Sequence, residues 1–237
     1  MTLDAATRAL IDTASAPYRA AGRFAYHFAR GKLRGDPAFV GILELGLLRN
    51  RNRILDLGCG QGLLAAWLLA ARKCYDSSIW PDEWPEPPRP ASMRGIEMRE
   101  RDVRRAQCAL GAQVEFAAGD IRDSEYGTAD AIVILDVLHY MEHRAQERVL
   151  ARVRAALAVG GVLLLRVGDA AGGLRFHASK LVDQIVLFAH EHRRPRFYCR
   201  SVRDWQNLLA QDGFRIEAVP MSAGTPFANV LLIARLT

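Results

Sequence analysis

The sequence predicts an α/β protein built on a single doubly wound, mostly parallel seven-stranded sheet, with an N-terminal helical extension. Three observations carry that prediction. From Arg53 onward, short apolar runs alternate with helical stretches, the rhythm of strand–helix–strand units whose strands are buried on both faces. A glycine-rich turn joins the first of these strands to the helix behind it. The last two strand-like runs have no helix between them, so they are expected to pair antiparallel and close the sheet.

Composition agrees with this class. The chain has 237 residues, of which 50% are hydrophobic and 24% charged, as in one soluble domain. Disorder, collagen and coiled coil are excluded as overall descriptions. Apolar stretches such as Gly62 to Ala71 are too short to span a bilayer, so no transmembrane segment is expected. Asp4, Arg8 and Asp12 interrupt the place where a secretory signal would lie. Cys59, Cys74, Cys108 and Cys199 form no CxxC pair, so reduced thiols, a cytoplasmic location and no metal centre are expected. The net charge is +6, with 29 arginines among the 32 basic residues. These arginines are dispersed, with local clusters at 99–105 and 190–200, and a solvated surface accounts for most of them.

The elements follow in order. Three helices are expected over residues 1–50: Leu3–Ala14, Pro17–Lys32 and Asp36–Leu48. Pro17 stands early in its helix, where a missing N–H costs little, and Asp36–Pro37 is an N-cap followed by proline. They form a helical cap over 1–50, ahead of a ligand-binding domain over 51–237. Strands are expected at Arg53–Leu57, Arg94–Met98, Gln113–Ala117, Ala131–Leu135, Val162–Val167, Phe214–Val219 and Ala228–Leu236. The intervening helices are Leu63–Arg72, Glu100–Leu110, Glu142–Ala158, Leu174–His190 and Val202–Asp212. Residues Lys73–Met93 break the pattern with five prolines, Trp80 and Trp84. They read as a long inserted loop that its tryptophans pin to the domain or set against a membrane interface.

The informative stretch is Ile54-Leu-Asp-Leu-Gly-Cys-Gly-Gln-Gly62. Glycines between a strand and a helix let a ligand lie against the backbone, and the helix start offers free N–H groups. Carboxylates recur at successive strand ends: Glu97, Asp120 and Asp136, with Asp56 inside the first strand. Packing does not gather charges there, and buried ones need partners. Such an acidic site suits a ligand with hydroxyls, an amino group and a positive centre better than a pyrophosphate.

Asp56-Leu-Gly-Cys-Gly-Gln-Gly62, Gly95-Ile-Glu97, Ala118-Gly-Asp120-Ile121 and Asp136-Val-Leu-His-Tyr140 resemble, in order, the motifs of class I S-adenosylmethionine-dependent methyltransferases. The resemblance runs from Ile54 to the C-terminus and implies a Rossmann-like sheet with an antiparallel last strand. It implies that S-adenosylmethionine binds, leaving S-adenosylhomocysteine as product. Gly58, Cys59, Gly60 and Gly62 would line the methionine half, and Asp56 would sit near its amino group. Glu97 would hold the ribose and Asp120 the adenine amino group, with Ile121 beside the ring. Asp136 would begin the loop facing both methionine and acceptor. Glu97 lies 39 residues after Gly58, against the usual roughly twenty, and the Lys73–Met93 insertion accounts for the excess. Glu100 is the alternative for its role. A nicotinamide-binding domain is the nearest competitor, but its fingerprint is GxGxxG, whereas this loop reads GxGxG.

His139 follows Asp136 by three residues and is the candidate general base, should the acceptor arrive protonated. Tyr140 is a candidate for orienting the acceptor, and Asp136 completes the candidate catalytic set. After Asp136 there is no [DN]PP[YF] run, the loop holds no cysteine nucleophile, and no paired-glutamate hairpin is visible. That leaves a small-molecule or lipid-like acceptor methylated at oxygen, carbon or nitrogen. Tyr18, Phe24, Tyr26, His27 and Phe28 make the second helix aromatic, either as a lid on the acceptor or as core. Tyr26-His-Phe-Ala-Arg-Gly-Lys-Leu-Arg-Gly-Asp36 resembles methyltransferases found with bacterial polyketide-like pigment pathways, which implies an aromatic or acyl acceptor, either free or held on an acidic carrier protein. The alternatives are an RNA methyltransferase using the basic-aromatic stretch His190–Arg200, and a non-catalytic protein that keeps the fold.

Overall fold

Seven strands form one sheet: β1 (Arg53–Leu57), β2 (Ser92–Glu97), β3 (Glu115–Ala118), β4 (Ala129–Leu135), β5 (Leu157–Gly168), β6 (Phe214–Pro220) and β7 (Asn229–Leu236). The computed structural model describes residues 4–168, 197–222 and 229–236. The strands hydrogen-bond in the order β3-β2-β1-β4-β5-β7-β6. β1 pairs parallel with β2, and β2 parallel with β3, whereas β7 runs antiparallel to both β5 and β6. This is the doubly wound sheet with an antiparallel last strand that the sequence predicts. The expected helix Leu174–His190 and most of the loop between β6 and β7 lie outside the described residues.

The chain divides into two compact units, residues 1–131 and 132–237. In the first, α1 (Ala5–Ser15) is capped by Asp4, whose carboxylate accepts the Thr7 N–H at 2.7 Å. The expected second helix is broken in two. A 3-10 turn over Ala16–Arg19 carries Pro17, and α2 (Arg23–Gly35) starts only after Gly22, at φ +103°. A right-handed helix cannot pass through that conformation, and glycine makes it accessible. α3 (Pro37–Glu44) starts as predicted on Asp36, which accepts the Ala38 N–H at 3.0 Å, but ends four residues early. Gly46 and Asn50, both at φ +60°, turn the chain there instead.

The apolar helix α4 (Leu63–Asp76) extends beyond its expected end, so the first residues of the insertion are helical. Its Trp67 is wholly buried and donates its indole N–H to the Phe39 carbonyl at 2.7 Å. The rest of the insertion is pinned by its aromatics. Trp80 stands edge-on to Trp84 and Tyr75 and donates to the Pro85 carbonyl at 3.2 Å. α5 (Glu100–Leu110) matches its prediction at both ends.

Tyr18 has the most consequential position in this unit. Its side chain is 0% exposed, and its hydroxyl donates to the Gln61 carbonyl of the glycine turn at 2.7 Å. Burial pushes the phenol far above its ordinary range, so it stays a donor. Tyr18 is therefore core, while Phe24 and Phe28 remain 54% and 43% exposed, stacked with ring centres 6.1 Å apart.

In the second unit, α6 (His143–Ala156) leads directly into β5, which begins where the sequence suggests continued helix. α7 (Val202–Gln211) opens on a reciprocal capping box between Ser201 and Asp204. β5 and β7 align Leu163 to Leu165 against Ala234 to Leu232, all buried. Among the described residues, no helix is long and apolar enough to cross a membrane.

Replacing Tyr18 by phenylalanine removes only the hydroxyl and leaves the Gln61 carbonyl buried without its donor. That costs about 1–3 kcal/mol of stability. Urea unfolding of the variant should show the loss as a lower midpoint with an unchanged slope; an unmoved midpoint would show that the bond contributes nothing net.

Candidate active site

The first unit gathers its candidate residues at the C-terminal ends of β1, β2 and β3. The Gly58 and Cys59 amides both donate to the Ile96 carbonyl, at 2.8 and 3.1 Å, which ties the turn after β1 to the end of β2. One residue on, the Gly60 amide donates to Glu97 Oε2 at 3.0 Å, and the Arg99 amide reaches Oε1 at 2.9 Å. Glu97 is thus fixed by two backbone donors and still has free lone pairs on each oxygen. Glu100, the alternative, points to the helix surface and pairs with Arg104. The structure therefore brings Glu97 to the glycine turn and leaves Glu100 outside it.

The glycines of the turn serve different ends. Gly58, Gly60 and Gly62 all have positive φ, at 77°, 54° and 75°. A Cβ at Gly62 would stand 2.6 Å from Phe116 Cζ, so that glycine lets β3 pack against the start of α4. A Cβ at Gly60 would meet nothing within 4 Å. That gap is the open bed of the turn. Gly95 is needed for packing, since a Cβ there would fall 2.6 Å from Cys59 Sγ. Cys59 is buried, and burial drives its thiol far above the ordinary range, so it is no nucleophile.

Asp56 is half-buried, and among the described residues no cation or hydrogen-bond donor takes up its carboxyl group. Burial, and then the Glu97 charge, push its pKa up to about 7. A carboxyl group in that state is stabilised as an anion by whatever cation is brought to it. Asp120 is already engaged. Arg122 grips both of its oxygens, with Nε at 3.0 and 2.9 Å, and the Arg122 amide donates at 2.8 Å. These bonds hold the Asp120 carboxylate below its usual range. Ile121 is buried, and its carbonyl accepts the Tyr126 hydroxyl.

The second unit carries the loop after β4. Asp136 sits at φ +59°, a conformation that costs a non-glycine residue about 1–3 kcal/mol. Its carboxylate is held in a two-pronged ion pair by Arg166 of β5, with Nε at 2.9 Å from Oδ1 and the second prong on Oδ2. Arg166 is almost fully buried. Sequence reading missed it, although a lone arginine inside Val162-Leu-Leu-Leu-Arg-Val167 is a signal that such a charge has a buried partner.

His139 lies in the 3-10 turn Leu138–Tyr140. Its ring packs at a tilt against Tyr140 and Phe197, with centres 4.1 and 5.6 Å away. Among the described residues, its buried Nε2 has no hydrogen-bond partner. Burial lowers its pKa below the ordinary histidine range, opposed by the nearby Asp136 charge, so the imidazole is neutral at pH 7. Tyr140 is 43% exposed. Of the basic-aromatic stretch His190–Arg200, only residues 197–200 are described, and they serve this loop. Among the described residues, no group of three or more His, Cys, Asp or Glu side chains is placed to hold a metal.

These features meet known proteins at several points. A carboxy-S-adenosyl-L-methionine synthase from Chromohalobacter salexigens is 30% identical over 143 residues, covering 56% of this chain and 48% of that protein. A tetracenomycin polyketide synthesis 8-O-methyl transferase from Streptomyces glaucescens is 30% identical over 111 residues, covering 47% and 29%. The chain thus spans about half or less of these curated relatives. In fold it is similar to an O-methyltransferase family protein from Burkholderia thailandensis, with a TM-score of 0.64, 18% identity, and coverage of 92% of this chain and 62% of that one. The family model described as a methyltransferase domain matches residues 27–219, and the chain belongs to that family.

Proposed function

We propose that the chain is an S-adenosylmethionine-dependent methyltransferase acting on a small-molecule acceptor, acyl or aromatic, at oxygen, carbon or nitrogen. The observation that carries this reading is the Gly60–Glu97 bond beside an open bed. It presents a bare stretch of backbone next to a fixed carboxylate with lone pairs to spare. The polyketide O-methyltransferase relative supports the acceptor class. A carrier-bound acceptor fits the face of α2, where Phe24 and Phe28 are exposed and no acidic residue occurs between Arg23 and Gly35. Residues 1–50 would act as the cap and 51–237 as the methyltransferase domain, in a cytoplasmic protein.

The residues present fit the cofactor. Asp56, half-buried and without a cation, would take its ammonium group; Glu97 would take the two ribose hydroxyls. The positive-φ backbone at Gly58, Cys59, Gly60 and Gly62 would follow its methionine half. Ile121 would give adenine an apolar neighbour, and Asp120 the lone pairs that Arg122 leaves. When bound, the sulfonium supplies an already activated methyl group, so the work left to the chain is alignment and exclusion of water. His139, neutral at pH 7, would accept the proton of a phenol or other acidic acceptor. Tyr140 would orient that acceptor, and Asp136 would hold the loop through Arg166.

Titration calorimetry with S-adenosylhomocysteine, with NAD as control, tests the cofactor. Micromolar binding, about −8 kcal/mol, with no response to NAD is expected. Gly60→Arg should fill the open bed and abolish that binding in a folded protein, and Asp56→Ala should do the same by removing the anion. Micromolar binding retained by both variants would sink the assignment.

The raised Asp56 pKa gives the binding a pH dependence with a definite sign. Below pH 7 the free protein carries a proton on Asp56 that an ammonium ligand must displace. Affinity for S-adenosylhomocysteine should therefore rise about tenfold from pH 6 to pH 8 and then level off. Calorimetry across that range, with Asp56→Asn for comparison, checks it; a native profile as flat as the variant's counts against the ammonium contact.

His139→Ala should reduce turnover on the order of 100-fold on a phenolic acceptor. The affinity for S-adenosylhomocysteine should change less than twofold. Full turnover by the variant, measured where chemistry limits the rate, removes the base role.

A further inference from the structure

Gln146 lies on the inward face of α6, among Ala145, Val149, Leu150 and Val153, and is 0% exposed. A primary amide so deeply buried is costly unless its atoms are bonded. Its Nε2, with two hydrogens, serves three main-chain carbonyls, one N–H being shared: Leu138 and Met141, each at 3.1 Å, and Tyr198 at 2.7 Å. Its Oε1 accepts from Arg200 Nε at 2.9 Å. Arg200 in turn binds Glu147 Oε1 at 2.5 Å and lies over the Trp205 ring, 5.6 Å from its centre.

The carbonyls gripped by this amide bracket His139. Leu138 precedes it, Met141 closes the turn, and the His139 carbonyl itself accepts the Tyr198 amide at 2.9 Å. By contrast, among the described residues His139 Nε2 has no partner, and none of their carboxylates or carbonyls holds the imidazole at that nitrogen. Among the described residues, what bears on its orientation is the backbone of the turn and the flanking rings of Tyr140 and Phe197. Phe197 belongs to the same short segment that Gln146 and Arg200 fasten. One amide therefore fixes both the turn that carries His139 and one of the rings that flanks it.

We propose that Gln146 and Arg200 are positioning residues: they lock residues 138–141 and 197–200 into one unit that sets the direction of the His139 imidazole. Arg200 and the three carbonyls agree on which way the Gln146 amide faces, because a guanidinium can only donate and a carbonyl can only accept. Arg200 thus satisfies Oε1 while Nε2 serves the carbonyls, and both ends of the buried amide are bonded. The proposal rests on the assignment of His139 as the group that meets the acceptor.

Arg200→Met keeps the stem over Trp205 and removes the donor, and Gln146→Met keeps the length and removes both donor and acceptor. Nitrogen-15 histidine spectra of the native chain and each variant report the His139 ring, its signals identified by their loss in His139→Gln. Amide exchange at 138–141 and 198 reports the turn. In Arg200→Met the imidazole signals should shift or broaden, and exchange at these amides should quicken at least tenfold. The thermal midpoint should stay within a few degrees of native. Arg200→Lys, which keeps a donor, should restore part of the protection. Should Gln146→Met fail to fold, Arg200→Met alone carries the test. Unchanged imidazole signals and unchanged exchange in Arg200→Met overturn the proposal. Turnover of His139→Ala is a separate reading: if it is undiminished, His139 is no base, while the spectra still say whether Gln146 and Arg200 hold it.

Discussion

The bond between the Gly60 amide and the Glu97 carboxylate is the interaction on which the ligand bed of the first unit depends. It joins the turn after β1 to the end of β2 at 3.0 Å, one residue beyond the pair of amides that share the Ile96 carbonyl. Without such ties a glycine-rich turn has many accessible conformations, and glycine loses more entropy on being ordered than any other residue. Three amides anchored on two successive residues of β2 remove most of that freedom before any ligand arrives. Tyr18 holds the same turn from the other side through the Gln61 carbonyl. The turn is thus pre-organised by side chains that come from far along the chain, and binding energy is not spent on ordering it.

Charge placement follows two opposite rules in the two units. Among the described residues Asp56 is left without a cation; burial and then the Glu97 charge raise its pKa to about 7, which makes it responsive to a positively charged group. Asp136 is supplied with a cation at once, by a buried arginine in two-pronged contact. Removing one partner of a buried pair costs about 3–5 kcal/mol, at or above the roughly 1–3 kcal/mol that the left-handed backbone at Asp136 costs. Any move of Asp136 away from this position would leave the buried Arg166 charge unpaired, so the loop that carries His139 starts from a fixed point.

Local pattern made much of this legible. β1 and α5 coincide with the sequence reading at both ends, because their apolar spacing is carried by neighbouring residues alone. The Asp36–Pro37 start of α3 was equally plain. What local pattern could not show is who stands opposite. Arg166 and Gln146 look like polar interruptions in apolar faces until Asp136 and the carbonyls of residues 138, 141 and 198 are seen beside them. Tyr18 reads as one aromatic among five, since nothing local marks that its hydroxyl reaches a turn 43 residues away. The break at Gly22 was missed for a different reason: a glycine inside a helical pattern is tolerated often enough that its positive φ is not forced by sequence. Asp120 was legible as an acid at a strand end, but its capture by Arg122, two residues on, depends on the turn geometry.

Gly60 and Gly62 show how far a motif can be read without its surroundings. Both have positive φ and both belong to the same three-glycine pattern, so either would be expected to serve the ligand. Their neighbours separate them. At Gly62 a methyl group collides with the Phe116 ring and comes within 3.2 Å of Ala106 Cβ, so a substitution there disturbs the packing of α4 on β3 and α5. At Gly60 a methyl group meets open space, and its cost to the empty protein is confined to the backbone conformation, on the order of 1 kcal/mol. Loss of binding on changing Gly62 would therefore confound fold with function. Loss of binding on changing Gly60 reports on the volume that the ligand needs, and it is at this residue that the chemistry of the site can be separated from the architecture that supports it.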